Sequence, residues 1–220
     1  MIVKYNRNVW KGSGDLMDSI IFDLDGTLWD STAVVGEAWN SVLKAEKVQV
    51  ELSQEDVKGV MGLQQKEIGQ KLLPDLSGEE QQALLKQFSK VECQYLSTRG
   101  GQLFDGVEEV LKELSKKYKL YIVSNCQEGY IESFYAYHEL DKHFLDFENP
   151  GRTGLTKGEN IKLIMERNKL VSPVYIGDTE GDHQAAKFAG VPFVYAAYGF
   201  GEVSGFDHSI DKFEDLLGMF

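Results

Sequence analysis

The chain is short of several things, and each shortage narrows what it can be. Only two cysteines, Cys93 and Cys126, occur in 220 residues, and their spacing fits neither a zinc site nor a disulfide framework. They read as reduced thiols, which points to the cytoplasm. Basic residues are also scarce: 23 Lys and Arg stand against 35 Asp and Glu, a formal net charge of −12. That surplus opposes approach to a nucleic-acid backbone or an anionic membrane, so neither is expected as a partner. No apolar run reaches the length of a membrane span, and the N-terminus lacks the apolar stretch of a secretory signal. There is no internal repeat and no low-complexity tract. What is left is an ordinary globular composition, long enough for one good core or a core with a small accessory domain. A small anionic substrate stays possible if its site supplies a cation.

What the chain does have is a series of short, β-branched or aromatic runs bounded by turn signals: residues 19–22, "LYIVS" at 120–124, "VYIG" at 174–177 and "PFVYAA" at 192–197. Between the later ones lie helical periodicities, Val107, Val110, Leu111 and Leu114, then Tyr130, Ile131, Phe134 and Tyr135, then Ile161, Ile164 and Met165. Strands alternating with helices predict an α/β fold with a parallel sheet and helices on both faces. The first interval breaks the pattern. About seventy residues without a convincing strand follow the opening one, enough for an inserted domain. Asp30 and Ser31, Ser53 with Asp56, and Ser77 with Glu80 are helix-start signals within it, and Leu84, Phe88, Val91 and Tyr95 form a packing stripe. The expected organisation is an N-terminal extension over 1–16, a core over 17–30 and 100–220, and a helical cap over 31–99, with Gly100-Gly101 as a hinge. The extension reads as a dispensable leader, Met17 serving as an alternative start.

The chemistry begins in "IIFDLDGTLWD", residues 20–30. Asp23 and Asp25 stand two apart, so on a strand they project from one face at its carboxyl end, where open parallel sheets bind ligands. Two adjacent carboxylates repel unless a cation such as magnesium lies between them or one is protonated. Three more polar sites occur at predicted strand ends or helix starts. Ser124 and Asn125 are suited to hydrogen-bonding an oxyanion, Lys157 opens a helix where ammonium and helix terminus both attract phosphate, and Asp178 with Asp182 offers hard-cation ligands. Each alone reads as well as a turn or capping residue; the ordered set does not. The four histidines, His138, His143, His183 and His208, read as structural or surface residues.

The ordered set "DLDGT", "VSN", "K" and "GDTEGD" resembles that of the haloacid dehalogenase-like superfamily, in particular its phosphatases with a small helical cap, over nearly all the chain from Met17. The resemblance implies a Rossmann-like core and a magnesium-dependent phosphatase acting on a small phosphorylated metabolite. It implies that Asp23 is the nucleophile, forming an aspartyl-phosphate, and that Asp25 protonates the leaving group and then activates water. Thr27, Ser124, Asn125 and Lys157 would hold the phosphoryl group. Asp23, the backbone carbonyl of Asp25, and Asp178 would hold magnesium, with Asp182 in support. Two departures from the family pattern, Gly158 after Lys157 and Asp105 before Gly106 where many relatives have proline, remove no catalytic group.

Alternatives remain beside that reading. A sugar phosphomutase of the β-phosphoglucomutase type shares nearly all the core motifs, an inorganic pyrophosphatase is another relative, and a silent binding protein would have a damaged site. Dehalogenation is disfavoured, because the dehalogenase relatives do not carry the second aspartate, Asp25 here. Substrate choice is expected from the cap, with Trp29, Trp39, Met61, Gln64, Gln65 and Lys66 facing the mouth. A monomer or a homodimer is expected.

Overall fold

The computed structural model describes residues 17–220, so the expected extension over 1–16 lies outside the described residues. The chain opens with strand β1 (Ser19–Phe22), passes through β2 (Trp29–Asp30), and enters four helices: α1 (Thr32–Ala45), α2 (Gln54–Lys58), α3 (Gln65–Leu72) and α4 (Gly78–Arg99). It returns through β3 (Gln102–Leu103), then alternates α5 (Val107–Leu114), β4 (Lys119–Val123), α6 (Tyr130–His138), β5 (Asp146–Glu148), α7 (Pro150–Thr153), α8 (Lys157–Asn168), β6 (Pro173–Gly177) and α9 (Glu180–Ala189). Strands β7 (Phe193–Ala196) and β8 (His208–Ile210) and the short helix α10 (Leu216–Met219) complete it.

Six strands form one sheet in the order β5-β4-β1-β6-β7-β8, with every pairing parallel. The fold is therefore α/β with helices on both sheet faces, as the alternation predicts. Two edge strands, β5 and β8, were absent from the sequence-based expectation. At three residues each, "DFE" and "HSI", they carry too little apolar periodicity to be read. The central strand β1 is buried on both faces, which is why it reads as a continuous apolar run. Ile20 and Phe22 join one core cluster and Ile21 the other, the period-two division of a strand between two layers. Burying a side chain such as Phe22 contributes on the order of 1.5–3 kcal/mol.

Strand order reverses at β1: β4 and β5 lie to one side of it, β6, β7 and β8 to the other. The carboxyl ends of β1, β4 and β6 thus surround the crevice where open α/β sheets bind ligands. The helices α1 to α4 are inserted between β2 and β3, which pair antiparallel as the way in and the way out. Apolar packing is continuous across that junction, from Ile20 and Phe22 through Trp29 and Leu96 to Trp39 and Phe88. The cap signals Ser53-Asp56 and Ser77-Glu80 both form reciprocal capping boxes. Ser31 does not cap α1; its hydroxyl turns inward, and Asp30 Oδ1 instead accepts from the Thr32 amide. Gly100 takes φ +66° with the Tyr137 ring 2.1 Å from where a Cβ would stand, so backbone conformation and close packing both call for glycine there.

Candidate active site

Asp23 follows β1, Ser124 and Asn125 follow β4, and Asp178 follows β6, so three adjacent parallel strands deliver their polar residues to one place. Lys157 reaches it as the first residue of α8, whose start is fixed by a Thr156-Glu159 capping box. The Lys157 ammonium donates to Asp23 Oδ1 at 2.7 Å and also to Asp182 Oδ1. The charged groups are all buried, Asp23 at 2% exposure, Lys157 at 5%, Asp178 and Asp182 at 0%. Oxygens of Asp23, Asp178 and Asp182 lie within 4.8 Å of one another. Three buried carboxylates around one ammonium leave an excess of negative charge. Burial, then the Asp182 carboxylate, push Asp23 up to about 7 against the pull of Lys157. Burial followed by Asp182 and Asp23 lifts Asp178 well above the carboxylate range. Burial works to lower the lysine, but Asp182 and Asp23 hold it above its ordinary value.

The donor set fits a hard divalent cation. Asp178 Oδ2 accepts the Phe200 amide at 2.7 Å, while Asp178 Oδ1 is buried with no hydrogen-bond partner among the described residues. An orphaned carboxylate oxygen beside Asp23 is what an oxygen-ligated cation requires. Asp182 has little left to offer. Its Oδ1 takes Lys157 and its Oδ2 accepts the Asp178 and Thr179 amides and the Thr179 hydroxyl, so it orients the lysine and caps α9. Gly26 belongs to the same cluster: at φ +77° it leaves room for Asp178, whose Oδ2 lies 2.1 Å from an ideal Cβ.

Asp25 is turned to a different set of partners. Its Oδ1 accepts from Trp29 Nε1 at 2.8 Å, Ser31 Oγ at 2.6 Å and Tyr130 OH at 3.0 Å. Burial raises it to about 6, although those three bonds work to lower it. The two aspartates that the sequence places on one strand end thus face separate environments, one an ion-paired cluster and the other a ring of neutral donors.

The other expected residues divide. Thr27 is fully buried, its hydroxyl without a partner among the described residues. Ser124 is buried beside Asn125, whose amide donates to the Gly62 carbonyl of the inserted segment at 2.9 Å while its Oδ1 has no hydrogen-bond partner among the described residues. Gln64, Gln65 and Lys66 are exposed and line a cavity of about 360 Å³ together with Asn125, Cys126 and Gln127. Trp29 is not at the mouth. It is fully buried, packed edge-on to Phe134 and Tyr130, because its place in β2 turns the indole inward to Asp25. Trp39 is likewise interior, stacked on Phe88. Met61 is half-buried against the core cluster.

Three polar residues of the site escaped the sequence reading. By periodicity Tyr130 is an apolar helix position and by residue type Ser31 is a cap, yet both reach Asp25. Glu92 lies in the interior stripe of α4, which runs Leu84, Phe88, Glu92, Leu96 rather than through Val91 and Tyr95. It accepts from Trp39 Nε1 of α1 and from Gln127 Nε2 of the loop after β4. A strict four-residue spacing from Leu84 and Phe88 was the available signal for it.

Fold and site together define a class: a parallel α/β protein whose buried acidic centre sits at the carboxyl ends of its central strands, with a helical insert beside it. The family model for haloacid dehalogenase-like hydrolases matches residues 20–196, and the chain belongs to that family. It is similar to the phosphoglycolate phosphatase of Rhodobacter capsulatus, 27% identical over 191 residues covering 83% of this chain and 85% of that protein. It is similar also to the phosphoglycolate phosphatase of Nitrosospira multiformis, at 28% identity over 84% of this chain and 85% of that one. Among solved structures, a haloacid dehalogenase-like family hydrolase from Streptococcus pneumoniae superposes with TM-score 0.78 at 24% identity, covering 91% of this chain and 97% of that one. A Rhodobacter sphaeroides CbbY variant, solved in complex with xylulose-1,5-bisphosphate, superposes with TM-score 0.76 at 19% identity over 93% of this chain and 99% of that one. The named relatives are phosphoric monoester hydrolases of this family. No helix among the described residues is long and apolar enough to cross a membrane.

Proposed function

We propose that the protein is a magnesium-dependent phosphatase that hydrolyses a small phosphate monoester through a phosphorylated Asp23. The observation that carries this reading is the separation of the two aspartates: Asp23 is paired with Lys157 beside Asp178, while Asp25 is held apart by Trp29, Ser31 and Tyr130. Asp23 and Asp178 would hold the metal with the Asp25 carbonyl, and Asp182 supports them through Lys157. When bound, magnesium supplies charge neutralisation that lets an anionic carboxylate approach an anionic phosphoryl group.

Asp23 then attacks phosphorus, and Lys157 offsets the charge on the phosphoryl oxygens, with Ser124, Asn125 and Thr27 as candidate hydrogen-bond partners. Asp25 in its protonated state gives its proton to the departing oxygen, and in its ionised state takes one from water for the second displacement. Splitting the hydrolysis in two matters because phosphate monoesters are among the slowest compounds to hydrolyse unaided, with enzymatic accelerations up to ~10²¹.

The leaving group is assigned to the cavity beside Asn125, where Lys66, Gln64, Gln65 and Gln127 present one cation and several amides. Its volume of about 360 Å³ suits a small metabolite rather than a macromolecule. The phosphoglycolate phosphatases among the relatives support a compact phosphate ester, and the bisphosphate complex of CbbY supports a phosphorylated sugar. A screen of small phosphate esters tests this, with product analysis. Free phosphate released with magnesium and lost with chelator is the expected result; phosphate moved to a new sugar hydroxyl would assign a mutase, and two phosphates from pyrophosphate a pyrophosphatase.

A further inference from the structure

A protonated carboxyl has two inequivalent oxygens, and only the one bearing the proton can act as an acid. Around Asp25 the protein treats the two oxygens differently. Three donors converge on Oδ1, Trp29 Nε1 at 2.8 Å, Ser31 Oγ at 2.6 Å and Tyr130 OH at 3.0 Å, while no hydrogen bond to Oδ2 occurs among the described residues. The indole N–H can only donate. The two hydroxyls lie 2.9 Å apart, so one can also donate to the other.

The hydroxyl oxygen of a carboxylic acid is a poorer acceptor than its carbonyl oxygen. An oxygen that receives an indole N–H and one or two O–H groups must therefore be the carbonyl one. We propose that Trp29, Ser31 and Tyr130 are positioning residues that fix the transferable proton of Asp25 on Oδ2, the oxygen left free to meet the leaving group. This rests on the reading of Asp25 as the general acid. The three donors come from separate elements: β2, the residue before α1, and the first residue of α6. Each is anchored. Trp29 and Ser31 are fully buried, Tyr130 nearly so, and the indole is packed at 5.0 Å from Phe134 and 5.7 Å from His138. Neither the carboxyl plane nor its proton is then free to turn over between turnovers.

Removing one donor weakens the discrimination between the two oxygens, so that the proton spends part of its time on Oδ1, and loosens the rotor. The loss falls on proton donation, so it depends on how much the leaving group needs a proton. The test is kcat/KM of the magnesium-loaded wild type, Tyr130→Phe and Ser31→Ala on phenyl, 4-nitrophenyl and 2,4-dinitrophenyl phosphate. General acid catalysis contributes ~10²–10⁴ where the leaving group is basic. The expected result is a fall of about tenfold or more on phenyl phosphate and about twofold or less on the dinitrophenyl ester, with Ser31→Thr restoring the wild-type dependence. Equal losses on all three esters, with native circular dichroism, would overturn the assignment of the proton to Oδ2. Absence of magnesium-dependent hydrolysis by the wild type would instead remove the general-acid reading beneath it.

Discussion

Replacing Glu92 by glutamine should make the protein more stable, and the gain should grow with pH. Glu92 is 4% exposed in the middle of α4, and the groups that face it are the Trp39 indole, the Gln127 amide and the Cys93 thiol, with Asp25 and the Tyr130 hydroxyl beyond. No cation is among them. Burial raises its carboxyl from 4.5 to about 8, against the smaller opposing effect of its two hydrogen bonds. In the unfolded chain the same group ionises near 4.5. Between these values the folded state binds the extra proton, so stability falls as pH rises. The contribution is whole below pH 4.5, declines by about 1.4 kcal/mol per pH unit, and is gone above pH 8. The complete loss is roughly 5 kcal/mol, a large share of the 5–15 kcal/mol typical of a folded protein.

Glutamine keeps the shape and stays neutral. Its Oε1 can accept from Trp39, and its amide can donate to Gln127 once that side chain turns its own amide over. Urea unfolding followed by tryptophan fluorescence, from pH 5 to pH 9, measures the difference. Glu92→Gln should gain on wild type steadily up to about pH 8 and hold a constant advantage beyond it. Parallel stability curves for the two proteins would refute the claim that Glu92 is neutral in the folded state.

Lys157→Met should abolish turnover and cost about 3–5 kcal/mol in urea unfolding, because it leaves the Asp23 and Asp182 carboxylates buried without their partner; a variant as stable as wild type would contradict the ion-pair account. Gly26→Ala should lower the melting temperature and weaken magnesium-induced stabilisation, since its Cβ would stand 2.1 Å from Asp178 Oδ2 in a backbone conformation that costs alanine about 1–3 kcal/mol. Unchanged magnesium response in a thermal-shift assay would argue against Asp178 as a ligand. Alanine at Gln64, Gln65 and Lys66 together should reorder kcat/KM among small phosphate esters while sparing hydrolysis of an aryl phosphate; an unchanged ranking would place specificity elsewhere.

How far these features were legible depended on whether their cause is local. Strand β1 declares itself through four consecutive buried positions, and the acidic cluster through Asp23, Asp178 and Lys157 each standing at a strand end or helix start. The capping boxes at Ser53 and Ser77 are equally local. What could not be read are partnerships between distant segments. Tyr130 meets Asp25 across 105 positions and Ser31 across 99, so nothing in the periodicity of α6 marks its first tyrosine as polar in role. Trp29, expected at the cap mouth, is turned inward by the pairing of β2 with β3 and covered by α6, contacts that lie far away in sequence. The strands β5 and β8 are edges in which three residues suffice once the neighbouring strand supplies the template.

The central claim is that Asp23 becomes phosphorylated, and the most direct measurement is to trap that species. Wild-type protein turning over its best ester with magnesium should be quenched and reduced with tritiated borohydride, which converts an aspartyl-phosphate to homoserine. Peptide mapping should then find the label at position 23, with none in Asp23→Asn. Label at another residue, or steady turnover with no label at all, would contradict the mechanism.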